Sequence, residues 1–273
     1  MIQIRDFLPR IVQIVAHTKG GAVLWTLLVV LSRLPLVGGI FPDNIGLSSD
    51  VDASGIATSV MILWHEGRYI PSRPPGYFLN EAANALFYPL GWWSANLCWS
   101  LIYGLSCCVY ARVLLILGIP HAFWVLVAYS FFPLIVVENA SVTEYTLSNV
   151  FLVLSWYSLI RGQPVASGVW MGCALASRIS QTPVALLIFA VALWARDRHW
   201  KSVVLFILAA TVLTIALWLI PMRLLTSNWE FLAGAVWEGS LLQRVLAAGY
   251  DIYRAFGLLG MIVSVAYVFF RSK

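Results

Sequence analysis

The chain is predicted to be an all-α integral membrane protein with about eight transmembrane helices, and three observations carry that prediction. Of its 273 residues, 61% are hydrophobic and only 11% charged, with a mean hydropathy of +0.85. A soluble domain carries about 25% charged residues, so this chain has too little polar surface to face water throughout. Its apolar residues gather in segments of about 20, the length at which a helix crosses the hydrocarbon layer. Its 13 Trp and 11 Tyr suit aromatic belts at two interfaces. One membrane domain over 1–273 is the simplest organisation, since no charged, periodic stretch is long enough for a second.

Residues 1–18 come first. Ile4, Phe7, Leu8, Ile11 and Val15 recur at helical spacing, opposite Arg5, Asp6, Arg10 and Gln13. That pattern describes an amphipathic helix lying on the cytoplasmic membrane surface, with Pro9 as a point of kinking. The apolar run 21–40 starts too late and is too long for the core of a cleaved signal, and reads as the first anchor. Spans are expected at 20–37, 94–117, 120–137, 144–160, 164–178, 182–195, 202–222 and 256–270. The fifth and sixth are short. Gly168 and Gly172 form a small-xxx-small pair suited to close helix packing.

The basic residues set an orientation. Arg5, Arg10, Lys19, Arg161, Arg196, Arg198, Lys201, Arg271 and Lys273 all fall on one side of an eight-span path. The positive-inside rule makes that side, and both termini, cytoplasmic. The other side, facing outward from a plasma or inner membrane or into a lumen, holds two long loops at 38–93 and 223–255. In the first, Ile56, Val60, Leu63 and Trp64 repeat at helical spacing, and Asn80, Asn84 and Tyr88 make a polar stripe. Two interfacial helices are expected there, joined by the tight Pro71-Ser72-Arg73-Pro74-Pro75-Gly76.

Net charge +5 without a dense basic run excludes nucleic acid as a partner. Cys98, Cys107, Cys108 and Cys173 lie in apolar runs with no CxxC, and read as buried small hydrophobes.

The unusual charges are those of the outer side. Asp43, Asp50, Asp52, Glu66 and Glu81 share the first loop, and Glu138 and Glu144 flank a later turn. Arg33, Arg68, Arg73, Arg178, Arg223, Arg244 and Arg254 run against the positive-inside trend. Charges at membrane depth pair with one another or line a wet cavity. An outward polar cavity for an anionic ligand is one reading, and mutual ion pairing is the other. Asp50 and Asp52, two apart, face one way in extended backbone and can share a divalent cation, Mg or Mn. Either can act as a general base toward a hydroxyl, and either can simply cap a helix starting near Ser54. Arg73, stiffened by Pro74 and Pro75, suits forked phosphate binding or interfacial anchoring. Arg178 is a phosphate ligand or a helix C-cap that snorkels to the surface. Glu144 opens a helix, where a carboxylate suits the dipole. His65 stands without a second His and fits a structural role.

The stretches Ser49-Asp50-Val51-Asp52, Trp64-His65-Glu66-Gly67-Arg68-Tyr69-Ile70-Pro71 and Ser72-Arg73-Pro74-Pro75-Gly76-Tyr77 resemble the first outer loop of the GT-C membrane glycosyltransferases. The nearest echoes are the protein O-mannosyltransferase-like and aminoarabinose transferase-like families. Gly172-Cys173-Ala174-Leu175-Ala176-Ser177-Arg178 and Ser141-Val142-Thr143-Glu144 resemble later family segments, and the likeness spans roughly 20–200. Ser72-Arg73 departs from the acidic residue and Lys that many members carry. The chain reads as a short form without a C-terminal soluble domain. The resemblance implies a glycosyltransferase that moves a sugar, with inversion, from a polyprenyl-phosphate carrier to an acceptor lipid, glycan or protein. It implies Asp50 and Asp52 as catalytic residues, with Arg73 and Arg178 holding the lipid phosphate. Glu144, Arg68, Glu81 and His65 are then further substrate contacts. Two other readings stand beside it: a flippase or transporter of a lipid-linked or anionic solute, and a non-catalytic membrane subunit of a glycosylation complex with a protein partner.

Overall fold

A computed structural model describes residues 4–37, 51–72, 77–138, 140–143, 145–179, 182–197 and 199–226. All of them belong to one compact unit, Met1–Ala233. The expected loop at 223–255 lies almost wholly outside the described residues, and the expected span at 256–270 entirely so. The described residues form helices and the short connections between them, with no strand among them.

The elements run α1 (Ile4–His17), α2 (Lys19–Arg33), α3 (Val51–Glu66), α4 (Phe78–Ala85), a 3₁₀ turn (Tyr88–Leu90), α5 (Trp92–Ile116), α6 (Ala122–Phe131) and α7 (Pro133–Glu138). They continue with α8 (Tyr145–Ile160), α9 (Pro164–Ser177), α10 (Thr182–Asp197), α11 (Trp200–Thr214), a π turn (Ile215–Leu219) and α12 (Ile220–Thr226). Helices stand at seven of the eight expected segments.

The eight-span count is not met by length. Two helices, Trp92–Ile116 and Trp200–Thr226, are long and apolar enough to cross a membrane. A third counts if Leu8–His17 and Lys19–Arg33, bent by 102°, form one broken span. The helices Ala122–Phe131, Tyr145–Ile160, Pro164–Ser177 and Ala185–Trp194 are apolar but only 10–17 residues long. The expected span 120–137 is broken for a definite reason. Phe132, before Pro133, is extended at φ −60°, ψ 127°, as the proline ring demands of its predecessor.

The amphipathic reading of the N-terminus holds in part. α1 turns its apolar side onto the bundle, burying Val12, Val15 and Ala16 against α5 and α6. Thr18 starts α2 by accepting the Gly21 N–H at 3.0 Å, an N-cap, and Arg112 ties the corner by donating from Nε to the Ala16 carbonyl at 2.7 Å.

Close approach replaces side chains at four glycines, the first being Gly21, where a Cβ would collide with the Ile14 carbonyl at the α1–α2 corner. A Cβ on Gly104 would sit 2.9 Å from the Thr26 side chain, joining α5 to α2. A Cβ on Gly168 would collide with the Phe206 carbonyl, and one on Gly172 would lie 2.6 Å from the Ala210 carbonyl. The small-xxx-small pair is therefore the seam between α9 and α11. Ser155 Oγ bonds to the Ser167 carbonyl at 2.8 Å, joining α8 to α9 by a polar clasp between apolar helices.

Candidate functional site

The loop between α2 and α5 holds most of the expected site, and it divides the charged residues into three groups. Asp50, Arg73 and Glu144 lie outside the described residues. So does the Asp52 side chain, although its backbone occupies the first turn of α3. Among the described residues no three His, Cys, Asp or Glu side chains gather as metal ligands.

The second group is exposed and locally paired. Arg68 Nη2 donates to Glu66 Oε2 at 3.0 Å, with both side chains more than half exposed. An ion pair in that setting contributes about 0–1 kcal/mol. His65 Nε2 and the Tyr88 hydroxyl lie 2.9 Å apart, and their rings meet edge to face at 5.5 Å. His65 thus fastens the end of α3 to the 3₁₀ turn.

The third group is buried. Glu81 on α4 has no exposed surface. It accepts a very short hydrogen bond from the Tyr69 hydroxyl and another from the Ser72 N–H at 3.0 Å. Burial, and then the Glu81 carboxylate beside it, push the Tyr69 phenol far above its ordinary range, so it remains a proton donor. Glu81 accordingly pins the segment after α3 onto α4.

The polar stripe expected on this second short helix faces inward. Asn80 and Asn84 are both fully buried. Asn84 Nδ2 donates to the Asn80 carbonyl at 2.9 Å, and its Oδ1 accepts the Trp99 indole N–H at 2.7 Å. Tyr88 is not on that face but in the following turn, with His65. The i, i+4 spacing of Asn80 and Asn84 signalled a shared side, but water and protein fit that spacing equally well.

α4 packs against α9 and the π turn. Tyr69, Ala176, Trp218 and Met222 form a small core there, with Phe78, Leu79 and Ile179 against it. Arg178, two residues past Ala176, is the C-cap of α9 and donates its N–H to the Ala174 carbonyl at 2.9 Å. It does not snorkel outward. Its side chain is 7% exposed and its guanidinium lies 3.5 Å above the Tyr145 ring centroid, a cation–π contact in a desolvated setting.

Sequence reasoning set Arg33 among the outer charges, and the structure buries it completely at the end of α2. Nη1 donates to the Val29 carbonyl at 2.9 Å and Nη2 to the Ser130 carbonyl at 3.0 Å. The guanidinium lies 5.0 Å from the Tyr103 ring centroid. Carbonyl oxygens and a π face hold this cation. Of the mutual ion pairing that was one reading of the charged set, Glu66 with Arg68 is an instance among the described residues.

Comparison with known proteins gives one result. Residues 115–245, just under half of the chain, match the family model for the GPI transamidase subunit PIG-U. No curated protein and no solved structure matches. The matched stretch runs from the end of α5 past α12. It corrects the expected enzyme assignment. The match is to a subunit of a transamidase, a membrane protein family, and not to a glycosyltransferase using a lipid-phosphate-linked sugar. The likeness to O-mannosyltransferase-like and aminoarabinose transferase-like families finds no counterpart in it. Integral membrane character, expected from composition, agrees with both the helices and the match.

Proposed function

We propose that the chain is a non-catalytic, multi-pass membrane subunit of a larger complex, one that works on lipid-borne groups as a GPI transamidase does. The match over 115–245 carries this reading. The loop geometry supports it. The buried carboxylate Glu81 joins α4 to the segment after α3, and Arg33 joins α2 to α6, so both charges serve the packing of this chain.

The same proposal keeps eight crossings with both termini cytoplasmic and the loop 38–93 on the far side. Supporting it are the helices α2, α5, α6 with α7, α8, α9, α10 and α11 with α12, which stand where hydropathy puts spans. Reporter fusions placed in each connection test that path, and a reporter at 161–163 on the side opposite the N-terminus would overturn it.

The subunit reading is tested by size and composition. The tagged full chain, extracted from its own membrane in a mild detergent, is expected to run well above its 30.3 kDa mass. It should carry a second, different chain in fixed ratio. A homogeneous single chain, over a range of detergents that preserve its fold, would overturn the proposal.

A further inference from the structure

The corner where α1 meets α2 carries a charge that the packing does not call for. The two helices are bent by 102°, so with α2 crossing the bilayer α1 lies along its surface. Val12, Val15 and Ala16 face the bundle. Arg10, Gln13, Ile14 and His17, three and four residues apart, share the opposite, exposed face. Lys19, in the first turn of α2, and Arg112, near the end of α5, are exposed as well. The corner is rigid. The Thr18 hydroxyl and N–H both donate to the Ile14 carbonyl, at 2.9 and 3.0 Å. Arg112 donates from Nε to the Ala16 carbonyl, which leaves the two Nη groups of an exposed guanidinium. The corner is also open, since a Cβ on Gly20 would meet nothing within 4 Å. Lys19 does nothing for its own helix. A cation in the first turn opposes the helix dipole, and no acidic residue stands in that turn to offset it.

We propose that this corner is a binding surface for the phosphate headgroup of an anionic membrane lipid. Charge complementarity is the first reason. Across the sequence of α1, α2, α5 and α6, Asp6 is the one carboxylate, against Arg5, Arg10, Lys19, Arg33 and Arg112. Asp6 stands one turn before Arg10, with its side chain outside the described residues. Among the described residues, Arg10, Lys19 and Arg112 have no ion-pair partner. Arg112 offers a planar fork to phosphate oxygens and Lys19 a point charge. The second reason is what adjoins the cations. Val23, Leu27 and Leu31 follow Lys19 at four-residue intervals along α2, and Leu105 and Leu101 lie on the membrane side of Arg112 along α5, all of them exposed. A free phosphate or an acidic protein segment meets the cations alone. A lipid meets both, with its phosphate at the corner and its acyl chains along the apolar rows. The surface stands apart from the subunit reading, and its test uses no partner chain.

The full chain is reconstituted in nanodiscs of phosphatidylglycerol and phosphatidylcholine with the same acyl chains, and the lipid retained on the released protein is read by native mass spectrometry. Each basic residue beside an anionic headgroup contributes about fivefold, so wild type is expected to hold phosphatidylglycerol about fiftyfold over phosphatidylcholine. Lys19→Gln should lower that ratio about fivefold, and Arg10→Gln with Lys19→Gln should bring it to about twofold. Both variants should melt at the wild-type temperature or above, because the α2 dipole no longer meets a cation. Arg161→Gln with Lys201→Gln removes the same charge from exposed positions at other helix ends, and should leave the ratio within about twofold of wild type. An equal fall from both pairs, or no preference in wild type, would overturn the corner as a site. Displacement by inorganic phosphate at the lipid's concentration would overturn the lipid assignment, as would capture of a short poly-glutamate peptide in the lipid's place.

Discussion

Helix α5 and the long helix from Trp200 to Thr226 both meet the length and composition of a membrane span, yet they sit in the molecule in opposite ways. α5 is the less apolar of the two and the more buried, with 56% of its most apolar stretch inside the protein against 17% for the other. Its Ser94, Asn96, Ser100, Tyr103 and Ser106 are all buried. The other exposes Val204, Leu205, Leu208 and Val212. In lipid the outside is as apolar as any core, so apolarity does not drive helices together, and polar and small side chains do that work. The greasier helix is the peripheral one.

That contrast can be broken at the seam where the peripheral helix is held. Gly172→Leu should separate α9 from α11, because the added side chain meets the Ala210 carbonyl and the Leu213 Cβ, each 2.6 Å from the first new atom. The expected loss is about 3 kcal/mol or more, since overpacking a tight contact forces backbone shifts. Thermal melting in detergent checks it, and a melting temperature unchanged from wild type would contradict the seam.

Within the buried hub, Arg33→Met should cost about 2 kcal/mol. It keeps the apolar stem but leaves the Ser130 carbonyl without its 3.0 Å donor. Equilibrium unfolding by denaturant measures it.

Tyr69 offers a pH test outside the spans. Its folded pKa is raised above the unfolded value near 10. Its contribution is therefore complete below about pH 10 and is lost as pH rises toward the folded value. Stability should fall in the alkaline limb, and Tyr69→Phe should make that limb shallower by one proton. The two melting profiles, measured from pH 8 to 11, decide it.

The smallest effect is expected on the lipid face. Leu208, 57% exposed, should tolerate Ala within about 0.5 kcal/mol. A larger loss would show that this face is covered by protein.

Hydropathy read the helices well because each apolar segment has no other way to satisfy its backbone in lipid. It sees apolarity and not length in space, so it does not register where a helix breaks. Phe132 and Pro133 interrupt a run that composition alone makes continuous. The glycine pair at 168 and 172 was legible, since a missing side chain has meaning only at a close approach. The loop was harder. Glu81, Asn80 and Asn84 were visible as polar residues, but their burial depends on Tyr69, Trp99 and the end of α9, which are distant in sequence. Arg33 was grouped with the outer charges that pair or line a cavity, because its actual partners, carbonyl oxygens of α2 and α6, leave no trace in residue type. The glycosyltransferase resemblance rested chiefly on residues 49–77, which precede the family match at 115–245, with weaker pieces at 141–144 and 172–178 inside it.

The π turn at Ile215–Leu219 has a consequence for the register of everything after it. Phe206, Ala210, Trp218 and Met222 are buried and Thr214 donates to the Gly172 carbonyl at 3.5 Å, so inward positions recur every four residues. An α-helix turns about 100° per residue, and four such repeats would swing the stripe by roughly 160°. One wide turn accommodates about one extra residue and takes back much of that rotation. It acts as a vernier, delivering Trp218 and Met222 to Tyr69 and Ala176. Deleting a single residue there would regularise the helix, and those two side chains would rotate out toward the acyl chains.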